Sequence, residues 1–264
     1  MTSHGAVLLK RQRRVIGLLP LWTVREVRVQ YRQSALDLGW SLITPVITLL
    51  GYGFVLTRAF SVDGDGVPYL TFAWAGVVMW TFCASGLTRG AFSLVAAADL
   101  VRKAPFPREV VPVAAVLASS LDLLIGLVAL LALMLVQGVA LSSKAIAIVP
   151  VMLIMLIWVS AAAIILGAVT SFFRDVAHGL AVILRIGIFV TPVMYPVSQV
   201  PERYQWMVAI NPIAVFIGSA RACLLRGEWP PWGLLGIHAL GAVVLMFVAL
   251  WYIRRIEGRI ADVI

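Results

Sequence analysis

The chain has 264 residues, of which 62% are hydrophobic and only 12% are charged, with a mean hydropathy of +1.00 and a formal net charge of +9. A typical soluble domain is about half apolar and about a quarter charged. These values exclude an ordinary soluble domain and predict an all-α integral membrane protein, in which the positive charge indicates anionic lipid and membrane topology rather than nucleic acid.

The N-terminal segment, residues 1–37, is predicted to lie in the cytoplasm and to contain a helix on the membrane surface. Within residues 15–32, Arg25, Arg28 and Arg32 share one helical face and Trp22 lies on the opposite face. This is the pattern of an amphipathic interface helix. A basic segment that only sets the topology and touches lipid headgroups explains the pattern equally well.

Six apolar runs are each long enough to cross roughly 30 Å of hydrocarbon, which takes about 20 residues. They are residues 38–56, 69–87, 110–136, 146–171, 179–195 and 233–253. Basic residues precede the first run and follow the last one, whereas the loops 61–68 and 138–145 carry few. The positive-inside bias therefore places both termini in the cytoplasm. The whole chain is predicted to be one transmembrane domain, with six helices over residues 38–253 and a cytoplasmic tail over residues 254–264.

The loop between the first two runs contains Asp63-Gly64-Asp65, which matches the Asp-x-Asp pattern by which many glycosyltransferases hold a metal and a nucleotide-sugar. Asp and Gly are also the residues expected in a tight turn. Because nucleotide-sugars are cytoplasmic and this loop is predicted to lie outside, the pattern favours a turn.

The loop between the second and third runs is basic and contains two prolines. Because proline fixes φ and removes a backbone donor, we expect a short, rigid projection on the cytoplasmic side that suits the docking of another protein. A charge cluster that only sets topology is an equally good interpretation. The candidate docking residues are Arg102, Lys103, Pro105, Phe106, Pro107, Arg108 and Glu109.

Two charged residues, Asp122 in the third run and Arg185 in the fifth, lie well inside predicted spans. A charge at such depth costs a few kcal/mol and suggests a function. The two side chains either pair for stability or line a wet conduit, and pairing is slightly favoured. Arg89 and Arg221 lie nearer the ends of apolar runs, and we expect them to extend towards the interface.

Residues 206–225 are apolar enough for a seventh crossing, but an odd number of spans would place the basic C-terminal segment outside. This stretch also contains Asn211-Pro212 and Arg221. We therefore expect a pair of short helices that enter the outer leaflet and return, because irregular backbone at that depth needs cover from protein or water.

Catalytic motifs are missing from the sequence. It contains no G-x-x-x-x-G-K-[ST] phosphate loop, no G-x-S-x-G and no H-E-x-x-H. The chain is therefore not predicted to be an enzyme, to hydrolyse ATP by a phosphate loop, or to hold a metal or cofactor of its own.

Four sequence segments together resemble the permease subunits of type-2 ABC exporters for polysaccharides, such as those for O-antigen, capsule, teichoic acid and mycobacterial galactan. The similarity follows the six runs over nearly the whole chain. The segments are Arg-Lys-Ala-Pro-Phe-Pro-Arg-Glu-Val at 102–110, Phe-Phe-Arg-Asp-Val at 172–176, Thr-Pro-Val-Met-Tyr-Pro at 191–196, and Asn211-Pro212.

The resemblance implies an assembly and a substrate. Such permeases form homodimers with two ATP-binding cassette subunits, which bind ATP and Mg, in the bacterial cytoplasmic membrane. A glycan on a polyprenyl diphosphate lipid passes through a channel between the two permeases. Stacking of sugar rings on aromatic side chains would suit such a cargo, although most of the aromatic residues, among them Trp74, Trp80 and Phe82, are expected to pack or to face lipid.

The resemblance also assigns roles to residues. Residues 104–110 correspond to a coupling element on the ATPase, and the amphipathic segment 15–32 to an interface helix on the same subunit. The cytoplasmic mouth corresponds to Phe172, Phe173, Arg174 and Asp175. The outer gate corresponds to Pro192, Tyr195, Pro196, Asn211 and Pro212.

Three alternatives remain at the level of the sequence. A type-2 ABC permease for a drug or a lipid would share the fold, although several of those carry a large outer domain that this chain lacks. A membrane enzyme of lipid-linked glycan assembly would need carboxylates or histidines clustered at one membrane face. A structural scaffold would leave the proline-containing loop and the intramembrane charges unexplained.

Overall fold

The computed structural model describes residues 2–31, 37–53, 64–103 and 106–263, so the predicted site residues Arg32 and Pro105 lie outside the described part. Within these ranges the chain forms α-helices and short 3₁₀ and π turns, and no strand, as the all-α prediction requires. The helices are α1 (Thr2–Tyr31), α2 (Asp37–Thr48), α3 (Tyr69–Ala96), α4 (Ala98–Lys103), α5 (Val110–Val136), α6 (Ile148–Phe172), α7 (Asp175–Val190), α8 (Glu202–Ile210), α9 (Pro212–Arg221) and α10 (Trp232–Val263).

The centre of the molecule is α3, which packs against both α5 and α6, while α10 packs on the other side of α6. Small residues allow the close approach of α3 to α6, because a Cβ on Gly90 would clash with the Cβ of Ala163. The indole Nε1 of Trp74 donates a hydrogen bond of 3.0 Å to the carbonyl oxygen of Gly126 on α5. Trp74, Trp80 and Phe82 are all buried in this core, so their main role within the chain is packing.

Four helical segments in the described part are long and apolar enough to cross a membrane, namely Tyr69–Ala96, Val110–Val136, Ser143–Phe172 and Trp232–Ile260. They match four of the six predicted runs, and α5 has the predicted bounds. The chain is therefore a multi-pass membrane protein. The other two predicted runs, 38–56 and 179–195, have no helix of this length in the described part. α2 and the π turn Leu49–Gly53 end where a described range ends, and α7 has 16 residues, so the six-span count stays a prediction.

The fifth predicted span, 179–195, differs from the structure at both ends, since α7 begins earlier, at Asp175. α7 has 16 residues, about 24 Å of helix, and ends at Val190 instead of continuing to residue 195. Thr191 adopts an extended conformation, with φ −83° and ψ 135°. The cause is Pro192, because a residue that precedes proline is pushed out of the helical region.

Both terminal helices are longer than predicted. α1 begins at Thr2, well before residue 15, and continues through Pro20. α10 continues past residue 253 to Val263, so residues 254–263 are helical, and their place in the cytoplasm stays a prediction. The continuation follows the buried stripe of Ala249, Ile253 and Ile260, which keeps one face of the helix against the rest of the molecule.

The Asp/Gly sequence before α3 forms a tight turn in its described part. The amide of Val67 donates a hydrogen bond of 3.3 Å to the carbonyl oxygen of Gly64. Asp65 and Gly66, the two central residues, have φ angles of 55° and 88°. Both values lie in the left-handed region that Asp and Gly tolerate in turns, so the turn prediction is confirmed for residues 64–67.

Candidate functional site

The end of the proline-containing loop is packed against α1. Phe106 stacks on Trp22, with ring centroids 5.2 Å apart and an angle of 28° between the planes. The guanidinium carbon of Arg25 lies 4.7 Å from the centroid of the Trp22 ring. The structure therefore brings the predicted interface helix and the predicted docking loop together at this point.

The loop turns sharply into α5 and exposes its basic residues unevenly. Pro107 is buried and Arg108 half-buried, and the amide of Val110 donates a hydrogen bond of 3.2 Å to the carbonyl oxygen of Pro107. Arg102, at the end of α4, is exposed. The backbone of Lys103 closes α4, while its side chain lies outside the described part.

Glu109 is the centre of an ion cluster that joins three helices; the Glu109 cluster is defined here as Glu109, Arg11, Glu257 and Arg254. The Glu109 side chain is only 4% exposed. Arg11 of α1 donates from Nη2 to Glu109 Oε2 at 2.7 Å and from Nε to Glu109 Oε1 at 3.1 Å. Arg11 also donates to Oε2 of Glu257 on α10, from Nη1 and from Nη2, both at 3.0 Å.

Arg11, at the middle of this cluster, is paired with two carboxylates and partly buried. Arg254 adds a contact of 3.7 Å to Oε1 of Glu109. The hydrogen bond with Glu109 raises the pKa of Arg11 above its ordinary value, against a smaller opposing effect of burial, so Arg11 stays charged at any physiological pH. The start of α5, the middle of α1 and the end of α10 are thereby held as one unit.

The four predicted mouth residues lie at the tight connection between α6 and α7. Phe172 is the last residue of α6 and Asp175 the first of α7. Phe173 is 67% exposed, and its carbonyl oxygen accepts a hydrogen bond of 3.1 Å from the amide of Val176. Arg174 is exposed too.

A second polar centre lies at the opposite end of α7, where Arg221 of α9 is 3% exposed. Its guanidinium donates to the carbonyl oxygens of Phe72 (3.1 and 3.2 Å), of Pro192 (2.9 Å) and of Val193. Its Cζ lies 3.6 Å from the centroid of the Phe72 ring. The expectation that Arg221 extends towards the interface is therefore wrong, because backbone carbonyls inside the protein solvate its charge.

Glycine at position 76 makes room for this arrangement. A Cβ on Gly76 would clash with the carbonyl oxygen of Val193 and with Nη2 of Arg221. Only a residue without a side chain lets the 191–196 loop lie so close to α3.

The predicted outer-gate residues surround the same loop. The Asn211 side chain caps α9 by accepting from the amides of Ile213 (3.1 Å) and Ala214 (3.4 Å), and its Nδ2 donates to Thr191 Oγ1 at 2.9 Å. The Tyr195 hydroxyl donates to the carbonyl oxygen of Phe189 at 2.9 Å. Pro196 precedes the 3₁₀ turn Val197–Gln199, and Pro212 is the first residue of α9.

The stretch predicted to form a hairpin does consist of two short helices. Glu202–Ile210 and Pro212–Arg226 meet at an angle of 97° across Asn211. A broken span and a re-entrant hairpin both fit this geometry, so the re-entrant topology stays a prediction.

The two charges that were predicted to lie inside the membrane have different neighbours in the structure. Asp122 Oδ2 accepts a hydrogen bond of 2.9 Å from Nε2 of Gln30 on α1. Arg185 is exposed on α7 and lines a groove against α2 and α3. Pairing of Asp122 with Arg185 stays a prediction.

The sequence interpretation missed Arg11, Glu257, Arg254 and the buried state of Arg221. The first three lie outside the apolar runs and look like ordinary charged residues of cytoplasmic segments. A signal for Arg221 was present, because an arginine within an apolar stretch needs polar partners inside the protein.

The chain is similar to known membrane transport proteins. Residues 19–225 match the model of the family described as ABC-2 type transporter. A protein named O-antigen export system permease protein RfbA, from Klebsiella pneumoniae, is 26% identical over 252 residues, which are 95% of this chain and 96% of that protein. A protein of the same name from Myxococcus xanthus is 28% identical over 235 residues, 88% of this chain and 90% of that protein.

Proposed function

Because this chain belongs to the ABC-2 type transporter family, we propose that it is the membrane-spanning subunit of an exporter that moves polysaccharide across a bacterial cytoplasmic membrane. The observation that carries the proposal is the nearly full-length similarity to proteins named as O-antigen export permeases. The match covers 95% of this chain and 96% of that protein, so it is not confined to a few apolar runs.

The energy for export would come from a separate chain. The sequence holds no phosphate loop, so ATP and Mg would be bound by two ATP-binding cassette subunits that associate with two copies of this chain. The basic loops and basic terminal helices support a topology with both termini in the cytoplasm. The cargo would be a glycan on a polyprenyl diphosphate lipid.

The surface that would receive the ATPase subunit comprises α1 and the loop end at residues 106–109. The Trp22–Phe106 stack and the Glu109 cluster hold this surface to α5 and α10, so a push on the loop would move three helices together. Coupling by a rigid, paired surface of this kind needs no flexible link between the ATPase and the bundle.

The far end of the bundle would act as the outer gate. Arg221 and Asn211 bind the 191–196 loop to α3 and α9 through backbone and side-chain hydrogen bonds. The loop and the bent pair α8–α9 would then open or close as one body above the conduit.

Export in cells tests the proposed function. Removal of this protein should leave lipid-linked polysaccharide inside the cell and deplete it from the surface, measured by mass spectrometry of extracted lipids and by surface staining with a lectin. Wild-type protein should restore the surface polymer. Unchanged surface polysaccharide, together with the loss of export of a drug or a simple lipid, would contradict the proposal and favour the second kind of type-2 permease.

A further inference from the structure

α10 exposes a long apolar face on the side opposite its buried stripe. Ile237, Leu240, Phe247 and Trp251 are each between 59% and 70% exposed. Their spacing of three, seven and four residues places them on one side of the helix. Because α10 packs on the side of α6 that is remote from α3, this face lies at the periphery of the described bundle. An apolar face of this length in a membrane protein suits contact with lipid hydrocarbon.

Two tryptophans mark the length of α10 that would lie in hydrocarbon. Trp232, at the start of the helix, is 47% exposed, and Trp251 is 59% exposed. The distance between them along the helix is about 28 Å, close to the roughly 30 Å of a hydrocarbon core. Tryptophan side chains favour the two membrane–water interfaces. Residues one turn beyond Trp251 therefore lie at the depth of the lipid phosphates.

An open groove of about 550 Å³ lies at this depth, lined by Phe247, Leu250, Trp251, Arg254 and Arg255. The guanidinium carbon of Arg255 lies 5.4 Å from the centroid of the Trp251 ring. The Arg255 side chain is thus folded back over the ring, towards the apolar face, which is the direction that helical side chains favour. The groove has an apolar wall and, beside it, a cationic rim.

The two arginines of the rim keep donors for an anion. Among the described residues, none forms an ion pair with Arg255. Arg254 lies 3.7 Å from Oε1 of Glu109, which is too long for a hydrogen bond, and Arg11 already donates to both oxygens of that carboxylate. Guanidinium groups bind phosphate well because their planar N–H groups match its oxygens.

We propose that this groove binds an anionic glycerophospholipid, such as phosphatidylglycerol, with its phosphate on Arg254 and Arg255. An acyl chain lies against Phe247 and Leu250, beside the ring of Trp251. The occupant is a component of the surrounding membrane and not the transported molecule, because the groove lies on the peripheral face of α10. Its place in the cytoplasmic leaflet rests on the topology given under the proposed function, whereas the binding itself does not.

The site would connect the membrane with the Glu109 cluster, because Arg254 belongs to both. A bound phosphate would hold the end of α10 in place beside Glu109. A ligand that binds only the folded protein also stabilises it. Phosphatidylglycerol should therefore raise the melting temperature of the wild-type chain more than phosphatidylcholine does, and Arg255→Gln should reduce this difference.

Tryptophan fluorescence tests the site directly, since bromine atoms on an acyl chain quench an indole that they contact. The full-length chain is placed in phosphatidylcholine nanodiscs that contain increasing fractions of brominated phosphatidylglycerol. Quenching should exceed that by the same fraction of brominated phosphatidylcholine, and Trp251→Phe should lose this excess. Arg255→Gln should weaken the preference for phosphatidylglycerol by about 5- to 10-fold, because it removes a charge-assisted contact with the phosphate, and Arg255→Lys should retain part of it.

The matched control is Arg203→Gln. Arg203 is also exposed and also lies over an aromatic ring, with its guanidinium carbon 4.7 Å from the centroid of Tyr204, but it belongs to α8 and not to the groove. This variant should keep the wild-type preference. Equal quenching by the two brominated lipids, or an unchanged preference in Arg255→Gln, would overturn the proposal.

Three other occupants of the groove are outcomes of the same experiments. If farnesyl diphosphate removes the excess quenching at a lower concentration than unbrominated phosphatidylglycerol does, the groove binds the transported lipid and the proposal fails. It also fails if Arg255→Gln loses the preference only because it turns a dimer into a monomer, measured by light scattering. Protection of Arg255→Cys from a soluble maleimide by the ATPase subunit, without any excess quenching, would make the groove a protein interface.

Transport separates this inference from the proposed function. A wild-type chain that prefers phosphatidylglycerol but never restores surface polysaccharide would refute the exporter function and leave the lipid site intact. A chain that restores surface polysaccharide but does not distinguish phosphatidylglycerol from phosphatidylcholine would refute the lipid site and leave the exporter function intact.

Discussion

Arg221 shows how one residue can hold a turn of chain inside the protein without a carboxylate partner. Its donors reach the carbonyl oxygens of Phe72, Pro192 and Val193, and the last two lie outside any helix and have no helical amide to bond. A neutral side chain at this position would leave buried carbonyls without donors. Lysine would keep the charge but not the planar fork that reaches several carbonyls at once.

We expect Arg221→Met to lower the free energy of unfolding by about 2–4 kcal/mol, and Arg221→Lys by somewhat less. The measurement is an SDS titration of the purified chain in mixed micelles, followed by helical circular dichroism. Arg203→Met, which removes an exposed arginine stacked on Tyr204, is the control and should change stability little. A loss within about 0.5 kcal/mol for Arg221→Met would show that water or lipid takes over the role of the guanidinium.

Single residues were the hardest features to predict from the sequence. Asp122 was predicted to be an intramembrane charge, but the hydrogen bond that it accepts from Gln30 links α1 with α5 and leaves no local pattern in the sequence. The same holds for Arg11, whose partners Glu109 and Glu257 are 98 and 246 residues away. Such contacts depend on how helices pack, which hydropathy and charge counts do not describe.

At the level of elements, the Glu109 cluster ties the proposed docking surface to the bundle. Glu109 stands at the first turn of α5, Arg11 in α1 and Glu257 near the end of α10. Because Glu109 is almost fully buried, loss of its charge would leave Arg11 in an ion pair only with Glu257, whose side chain is 26% exposed. The three helices would then move less closely together.

Glu109→Gln should leave ATP hydrolysis by the assembled transporter within about 2-fold of wild type but lower the polysaccharide exported per ATP by about 2- to 10-fold. Both quantities can be measured on the complex in proteoliposomes. Glu228→Gln, which alters an exposed pair with Arg226 at the other end, is the matched control. If wild type and Glu109→Gln export the same amount of polysaccharide per ATP hydrolysed, the Glu109 cluster has no role in coupling and contributes only to stability.

The bent pair α8–α9 gives a separate prediction about topology. If the pair is re-entrant, Glu202→Cys and Glu228→Cys should both react with a membrane-impermeant maleimide from the outside of intact cells. The native Cys83 and Cys223 are buried and should give a low background. Arg259→Cys should react only after the cells are opened. Reaction of positions 202 and 228 from opposite sides would establish a true crossing and overturn the six-span topology.

The elements themselves were predicted well where apolar runs end at prolines or charges. α5 has the predicted bounds 110–136, and α6 differs by only one or two residues at each end. The C-terminal end of α7 was predicted five residues too late because the apolar count ignored the backbone effect of Pro192 on Thr191. α10 was predicted too short because Arg254 and Arg255 obscured a buried stripe that continues to Ile260.

At the scale of the whole molecule, much of the apolar surface is exposed in the single chain. On α10 alone, Ile237, Leu240 and Phe247 are each about two-thirds exposed or more. A soluble monomer rarely exposes a continuous apolar surface of this kind, whereas a protein in contact with lipid or with a second copy does so by necessity.

The purified chain should not hydrolyse ATP on its own. The reason is the missing phosphate loop, and the measurement is phosphate release by the chain alone, by its ATPase partner alone and by the two together. We expect turnover in the samples that contain the ATPase, and a change in its rate when the permease is added. Sustained hydrolysis by the isolated permease, shown by mass spectrometry to be free of ATPase, would contradict the proposal that a separate chain hydrolyses ATP.

The uninterrupted course of α10 bears on where a reporter can be attached. Its 32 residues form a rod of about 48 Å, and its last described residue, Val263, lies fewer than two turns beyond Glu257. A fluorescent protein fused after it would be held beside Arg11 and would compete for space with any subunit that docks there. An epitope inserted near the exposed Gly138, at the other end of α5, would keep clear of that surface.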